Sequence, residues 1–321
     1  MYNIKLRIKD FVVKEVLDFN SIGDGDYGYF ILNKIGLNTI DAISLLSRYL
    51  KTNRKNIGYA GLKDKNAETY QYISIFKPDL NKISKLQLEN MSLEFVGYGK
   101  DPISIGCLEG NDFIITVRNL DCKYKKIKFF ENYFDEQRFS SHNVEIGRNI
   151  VKRNYQIVSN LLKLDSSDVN SIKKHDKNIL KFYINAYQSY LWNRVVAELL
   201  RKNKDYSEVD YSLGKFVFLK NKIKNFKVPL LNFDTEFNNK LIEEVYNNIM
   251  KIEGISKGSF LIREVPELIN EGVERDVFVD VKIKSSFMED ELDKGKFKQI
   301  LEFKLPKGSY ATLLVKKMFS F

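Results

Sequence analysis

The 321-residue sequence contains few of the residues on which metal, disulfide and membrane chemistry depend. It has two cysteines, Cys107 and Cys122, and two histidines, His142 and His175, at spacings that suit neither a zinc site nor a disulfide framework. No apolar stretch approaches the ~18–20 residues of a membrane-spanning helix, and the five prolines form no proline-rich linker. The sequence therefore predicts no metal centre and no membrane segment.

The first ten residues also lack the apolar core of a secretory signal, because Lys5, Arg7, Lys9 and Asp10 fall among them. We therefore expect a cytoplasmic protein. Nothing in the sequence implies an obligate protein partner.

The composition favours a folded protein that binds a polyanion. Hydrophobic residues make up 44% and aromatic residues 13% of the chain, its net charge is +10 and its pI is about 9.2. Residues 51–65 carry five cations against one carboxylate, and residues 294–321 carry seven lysines against Glu302. Nucleic acid is the first candidate partner, although a generally lysine-rich proteome would give the same excess.

Strand-like alternation marks both ends of the chain, and helical periodicity marks the part between them. Residues 1–16 and 27–36 are predicted to be strands, and residues 55–119 are predicted to be rich in strands. Strand character returns near residue 273 and includes residues 301–305. One predicted helix begins at the Asn38–Thr39 cap. Three further segments have helical periodicity, residues 144–163, 178–203 and 236–252. This order predicts a mixed α+β domain interrupted by a helical lobe.

Residues 56–74 are the most informative segment. Asp64 lies between Lys63 and Lys65, just after two glycines, and an alternating stretch follows it. The pattern predicts a turn that leads into a strand. The flanking cations favour the charged carboxylate, so we expect Asp64 to be ionised at neutral pH. Taken alone, the same residues are also typical of a solvent-exposed hairpin tip.

The whole segment resembles the signature of the TruD family of tRNA pseudouridine synthases, Ala-Gly-x-Lys-Asp-(Lys/Arg)-x-Ala-x-Thr-x-Gln. Its fixed positions are filled here by Ala60, Gly61, Lys63, Asp64, Lys65, Ala67, Thr69 and Gln71. The resemblance covers nearly the whole chain. Further segments similar to family motifs are residues 10–15, 110–113, 132–139, 186–193 and 305–312.

The resemblance implies an α+β fold in which a pseudouridine-synthase-type catalytic domain, built on a mixed β-sheet, is interrupted by a mainly helical TRUD insertion domain. On this basis residues 1–142 and 273–321 are expected to form the catalytic domain. Residues 143–272 are expected to form the insertion.

The resemblance also implies roles for six residues. Asp64 matches the catalytic aspartate of the family. Five further positions match substrate-binding residues. The resemblance implies that Phe11, Asn111 and Tyr310 contact the target nucleotide. It also implies that Phe113 suits base stacking and that Lys5 is a cation near the aspartate.

Each substrate-binding candidate has a structural alternative when its residue pattern is taken alone. Phe11 alternates with polar neighbours as a strand core residue does, Asn111 is a common turn residue, and Tyr310 could cap the core. Arg138 suits either RNA binding or a buried salt bridge. Tyr187, Tyr190 and Trp192 are expected to pack rather than to bind RNA.

The activity implied by the resemblance is isomerisation of a uridine in tRNA to pseudouridine by an aspartate, without a cofactor. Position 13 is the usual target of the family, and some relatives modify other positions. Attack at the base, attack at the sugar and a glycal route all remain open. The alternative is a non-catalytic RNA-binding or RNA-folding protein, which the same basic and aromatic residues would serve.

Overall fold

A computed structural model describes residues 2–17, 23–139, 142–164, 169–269 and 272–321. The strands in these ranges are β1 (Phe11–Val16), β2 (Tyr27–Ile35), β3 (Ile57–Tyr59), β4 (Glu68–Phe76), β5 (Met91–Gly99), β6 (Gly110–Leu120), β7 (Phe129–Glu131), β8 (Tyr206–Tyr211), β9 (Gly214–Leu219), β10 (Lys227–Pro229), β11 (Glu274–Asp276), β12 (Phe278–Asp280), β13 (Lys284–Glu289) and β14 (Phe297–Pro306). The helices are α1 (Thr39–Leu50), α2 (Leu80–Ile83), α3 (Asn143–Val151), α4 (Tyr155–Leu162), α5 (Val169–Lys174), α6 (Lys177–Leu200), α7 (Lys240–Glu253) and α8 (Ala311–Met318).

The chain divides by its internal contacts into two compact units. The sheet unit comprises Met1–Lys128 and Val281–Gly308, and the helix-rich unit comprises Phe129–Asp280 and Ser309–Phe321. The predicted domain borders at 142/143 and 272/273 stay a prediction; the borders between these units lie at 128/129 and 280/281, and Ser309–Phe321 falls in the helix-rich unit rather than with the preceding strands. Among the described residues, no helix is both long and apolar enough to span a bilayer.

The sheet unit is built on a mixed sheet. Its strand order is β13-β14-β6-β1-β4-β2-β5, with β3 paired to β4. The central pair β1–β4 is parallel, and its neighbouring pairs are antiparallel. The predicted α+β architecture with a mixed sheet is therefore confirmed.

Strand register gathers the three predicted site residues that lie on strands, Phe11, Asn111 and Phe113, on one face of this sheet. Glu15 of β1 lies opposite Asn111 of β6, and Val13 lies opposite both Phe113 and Thr69. Because side chains alternate along a strand and paired residues share a face, Phe11 points to this side as well. The alternating pattern along β1 is typical of core packing, and the same pattern places Phe11 on the face that carries the other strand residues of the predicted site.

Helix α1 covers the β2–β4 part of the face. Its buried residues Ala42, Ile43 and Leu46 follow helical spacing and pack against Phe30 and Leu32 of β2. The Asn38 side chain accepts a hydrogen bond from the Asp41 N–H, which confirms the predicted cap. The helix therefore begins beside the sheet, where its first residue can contact the Asp64 loop.

The predicted strand over residues 1–16 is wrong between Asn3, which forms an isolated antiparallel bridge with Arg118, and Phe11. Strand pairing of β1 starts only at Phe11, and a short 3-10 turn covers Ile8–Asp10. The cause is the buried carboxylate of Asp10, which accepts two hydrogen bonds from Arg118 at 3.0 and 2.8 Å and one from the Arg7 N–H. This ion pair holds the chain in a turn that alternation cannot reveal.

The helix-rich unit is centred on α6, which packs against α3 and α7. Tyr187 and Trp192 on this helix are fully buried, as expected, and the Trp192 indole donates to the Val228 carbonyl at 2.9 Å. The helical periodicity of residues 144–163 is divided between α3 and α4, because Arg153 adopts a left-handed φ of 59°. The β8–β9 hairpin also lies in this unit and was not predicted.

Candidate active site

Asp64 lies in the loop between β3 and β4, and hydrogen bonds to the side chains of Thr39 and Gln71 hold that loop. The Lys63 N–H donates to the Thr39 hydroxyl at 2.9 Å, and that hydroxyl donates to the Gln71 amide oxygen at 2.9 Å. The Gln71 amide in turn donates to the Gly61 carbonyl at 3.4 Å. These bonds tie the backbone of Gly61 and Lys63, just before Asp64, to strand β4 and helix α1.

Lys5 binds the side chain of Asp64 directly. Its Nζ lies 2.7 Å from Asp64 Oδ2, while the carboxylate side chain remains 37% exposed. The same ammonium lies 4.2 Å from the centre of the Phe11 ring. Lys5 therefore links the predicted catalytic carboxylate to one of the predicted substrate-binding rings, and it leaves the carboxylate open to solvent.

Lys63 connects the loop to the sheet through a second ion pair. Its Nζ lies 2.8 Å from Glu15 Oε1 and donates to Asn111 Oδ1 at 2.5 Å. The Glu15 side chain is fully buried, and its other oxygen accepts from the Tyr72 N–H at 2.9 Å. Because Glu15 and Asn111 lie opposite each other in the ladder, one lysine restrains both strands and the loop.

Lys34 is a third cation of the site and is fully buried. Its Nζ donates to the Asp64 carbonyl at 3.0 Å and to the Leu37 carbonyl. Burial lowers the pKa of Lys34 to about 8; the negative charge of Asp64 opposes this shift, and the positive charge of Lys63 adds to it. Asp64 is thus held by a lysine at its backbone and by another at its side chain.

The two predicted stacking rings are buried in the sheet face. Phe11 is 4% and Phe113 is 7% exposed, and their centroids lie 6.1 Å apart in an edge-to-face arrangement. The Phe303 ring stacks on Phe113 at 5.5 Å. One face of each ring is therefore occupied, by Lys5 and by Phe303, and the role of both rings in substrate binding stays a prediction.

Tyr310 belongs to the helix-rich unit, unlike the other five predicted residues. It is the residue before α8, and its ring lies 6.4 Å from that of Phe134. Burial raises the pKa of Tyr310, and the positive charges of Arg138 and Arg275 oppose that shift. The structure thus joins Lys5, Phe11, Asp64, Asn111 and Phe113 in one unit and places Tyr310 beside two arginines in the other.

A family model described as tRNA pseudouridine synthase D (TruD) matches residues 2–162 and 156–318, almost the whole chain. The chain belongs to the TruD family. The "Probable tRNA pseudouridine synthase D 2" of Methanocaldococcus jannaschii is 33% identical over 98% of this chain and 92% of its own length. The "tRNA pseudouridine synthase D" of Aquifex aeolicus is 29% identical over 98% and 97%, respectively.

A solved structure agrees with this membership. The crystal structure of the "Putative tRNA pseudouridine synthase D (TruD)" from Methanosarcina mazei covers 99% of this chain and 93% of its own, with a TM-score of 0.72 and 25% identity. The predicted family and fold are confirmed. Pseudouridine synthases are isomerases, so the prediction of an enzyme of this class is confirmed as well.

Sequence reasoning missed three residues of the candidate site, Lys34, Glu15 and Thr39. A signal was present for two of them. Lys34 follows Phe30 and Leu32, and Glu15 follows Phe11 and Val13, each at the inward position of an alternating strand. A charged residue at such a position is seldom tolerated without a partner. No comparable signal marks Thr39, because a helix's first residue is often a threonine for local reasons.

Proposed function

We propose that this chain converts a uridine of tRNA, at position 13, to pseudouridine, with Asp64 as the catalytic residue and without a cofactor. The observation that supports this most directly is the carboxylate of Asp64. It is partly exposed, bonded to Lys5, and set in a loop that Lys34, Thr39 and Gln71 hold in place.

The reaction needs only what such a site supplies. The N1–C1′ bond of the uridine breaks, the base turns, and a C5–C1′ bond forms. The proton on C5 is lost to solvent and N1 gains one, so no electrons are exchanged with a second substrate. An ionised carboxylate serves either as a nucleophile at the base or sugar, or as a base on the sugar along the glycal route.

The remaining site residues suit the binding of an extruded nucleotide. Removing a stacked uridine from folded RNA costs a few kcal/mol, and each base–aromatic contact returns ~1–3 kcal/mol. We assign that contact to Phe11, Phe113 and Tyr310, and recognition of the uracil edge to Asn111. The net charge of +10 favours tRNA as the polyanion that is bound.

Tritium release from tRNA labelled at C5 of uridine tests the reaction. We expect release by the wild type and none by Asp64→Asn, which keeps the size of the side chain and removes its charge. Asp26→Asn is the matched control, because it removes an exposed carboxylate of the same unit. Both variants should bind tRNA, and Asp64→Asn should bind as tightly as the wild type or slightly more tightly.

The outcomes separate the proposal from its alternative. No release from any tRNA despite tight binding would overturn it and favour a non-catalytic RNA-binding protein. Release by Asp64→Asn at the wild-type rate would exclude Asp64 as the catalytic residue. A transcript with cytidine at position 13 should release nothing; continued release would place the target at another uridine. Dialysis against a chelator should leave the rate unchanged.

A further inference from the structure

The helix-rich unit contains a cavity of about 390 Å³ that the Asp64 site does not use. Three polar side chains from one face of α6 line it, Asn185, Gln188 and Ser189, at helical spacing. Phe134, Arg138 and Arg275 contribute an aromatic ring and two guanidinium groups. A volume in the range of ordinary ligand sites, ~300–1,000 Å³, together with convergent polar groups, is typical of a binding pocket.

Arg138 is held in this pocket at a cost to the fold. Its Nε is buried and has no hydrogen-bond partner, and no carboxylate of the described residues lies within ion-pair distance of it. Burial lowers the pKa of Arg138. Its guanidinium lies 5.3 Å from the centre of the Phe182 ring. A partly buried cation with no anion beside it is unfavourable, so packing alone gives no reason for an arginine here.

Arg275 places a second positive charge next to the first. Its guanidinium donates to the Asn132 carbonyl and Asn132 Oδ1, each at 2.8 Å, and lies 4.2 Å from the centre of the Phe134 ring. Burial lowers the pKa of Arg275 to about 10, and the charge of Arg138 contributes to that decrease. The two guanidinium groups therefore repel each other in a partly desolvated pocket.

Carboxylates near the pocket do not neutralise this pair. Glu274 lines the cavity and the negative charge of Asp276 acts on Arg275, but both carboxylates are exposed to solvent, where their charge is screened. Asp135 is buried and engaged by Lys316 at 2.8 Å and by the Thr312 hydroxyl. The pocket thus keeps positive charge that no buried carboxylate neutralises, and Arg138 Nε keeps a donor without a partner.

We propose that this pocket binds a phosphodiester group of the RNA substrate, with Arg138 and Arg275 as its ligands. The inference rests on the proposed function for the source of the anion. Tyr310, which the proposed function assigns to the target nucleotide, lies in the same cluster as both arginines. The phosphate is therefore one that adjoins the nucleotide contacted by Tyr310. Planar guanidinium groups with several donors suit phosphate oxygens.

Inorganic phosphate tests the pocket without RNA or activity. Thermal unfolding is followed in phosphate and in chloride at equal ionic strength, for the wild type, Arg138→Met and Arg263→Met. Arg263 is an exposed arginine of the same unit outside the cavity, so its variant matches the loss of charge. We expect phosphate to raise the melting temperature of the wild type and Arg263→Met but not that of Arg138→Met. An equal rise in all three would overturn the proposal.

Binding of a tRNA transcript at several salt concentrations supplies the second measurement. Arg138→Met should lose roughly tenfold in affinity, and the slope of log K against log salt should fall by about 0.7–0.9, as expected for one phosphate contact. Arg263→Met should keep the wild-type slope. A wild-type slope in Arg138→Met, with an active wild-type enzyme, would overturn this inference and leave the proposed function intact. An inactive wild type would instead overturn the proposed function, and the phosphate measurement would still decide the pocket.

Discussion

Positively charged side chains are concentrated at both the Asp64 site and the Arg138 pocket, but the two places differ in whether a carboxylate of the protein pairs with them. In the sheet unit, Lys5 and Lys63 each lie within 2.8 Å of a carboxylate of the same chain. In the helix-rich unit, Arg138 has no such partner among the described residues. Paired lysines hold the protein's own anions in place, whereas a half-buried arginine without a carboxylate partner retains its attraction for an anion from outside.

The difference follows from what each site is proposed to do. A catalytic carboxylate must be kept ionised and oriented, and nearby ammonium groups do both. A pocket for a substrate phosphate must not be filled by a carboxylate of the protein, because that carboxylate would compete with the substrate. The contrast predicts opposite responses when a cation is removed from each site.

The largest effect is expected for Lys63→Met. Its removal leaves the fully buried Glu15 without a cation, and breaking a buried pair in this way costs roughly 3–5 kcal/mol of unfolding free energy. Urea denaturation measures the change. The double variant Glu15→Gln/Lys63→Met should recover most of the loss, and Lys77→Met, whose partner Asp26 is exposed, should change stability by less than about 0.5 kcal/mol. A small effect of Lys63→Met would mean that the pair is not essential to the fold.

Lys5→Met should affect catalysis more than stability. The hydrogen bond between Lys5 and Asp64 is charge-assisted and partly exposed, so its loss should lower kcat roughly 10- to 100-fold. Without the ammonium, protons compete better for the carboxylate, and the acid limb of the pH–rate profile should move to higher pH. Lys5→Arg should restore most of the rate. An unchanged profile in Lys5→Met would show that Lys5 does not position Asp64.

The lowered pKa of Lys34 makes the free energy of unfolding depend on pH, with an expected change of roughly 2 kcal/mol. Its pKa in the folded protein is about 8, below the 10.5 of the unfolded chain. The unfolded state therefore binds more protons between these two values, and the wild type should gain stability relative to Lys34→Met as the pH rises from 7.5 to 10. Denaturation of both proteins at the two pH values measures the difference. If the difference in unfolding free energy between the two proteins is the same at both pH values, the pKa of Lys34 is not lowered in the folded protein.

The smallest expected effect is the change in unfolding free energy caused by Arg138→Met. Whether this change is a gain or a loss is the informative result. Methionine fills similar space without charge, so the free energy of unfolding should rise by roughly 1 kcal/mol or stay unchanged. Chemical denaturation of the variant beside Lys63→Met compares the two sites directly. A loss of several kcal/mol would show that Arg138 stabilises the fold and would remove the contrast between the sites.

Several parts of the molecule could be predicted because their causes are local. The Asn38 cap lies next to the helix that it starts, and the alternation from Thr69 to Ser74 follows the pleat of β4. Asp64 was found because a run of neighbouring residues carries the TruD signature. By contrast, the turn at Ile8–Asp10 depends on Arg118, 108 residues away from Asp10 along the chain.

The sequence by itself determined the family, the α+β class and the residue proposed for catalysis, since each is carried by short motifs and by periodicity. Only the tertiary structure decided which charges meet. Lys5 reaches Asp64 across 59 positions, Lys63 bridges strands that the register places side by side, and Arg138 finds no carboxylate at all among the described residues. Ion pairs and pockets form between side chains that are distant along the chain, and their energies depend on burial, which a linear pattern does not specify.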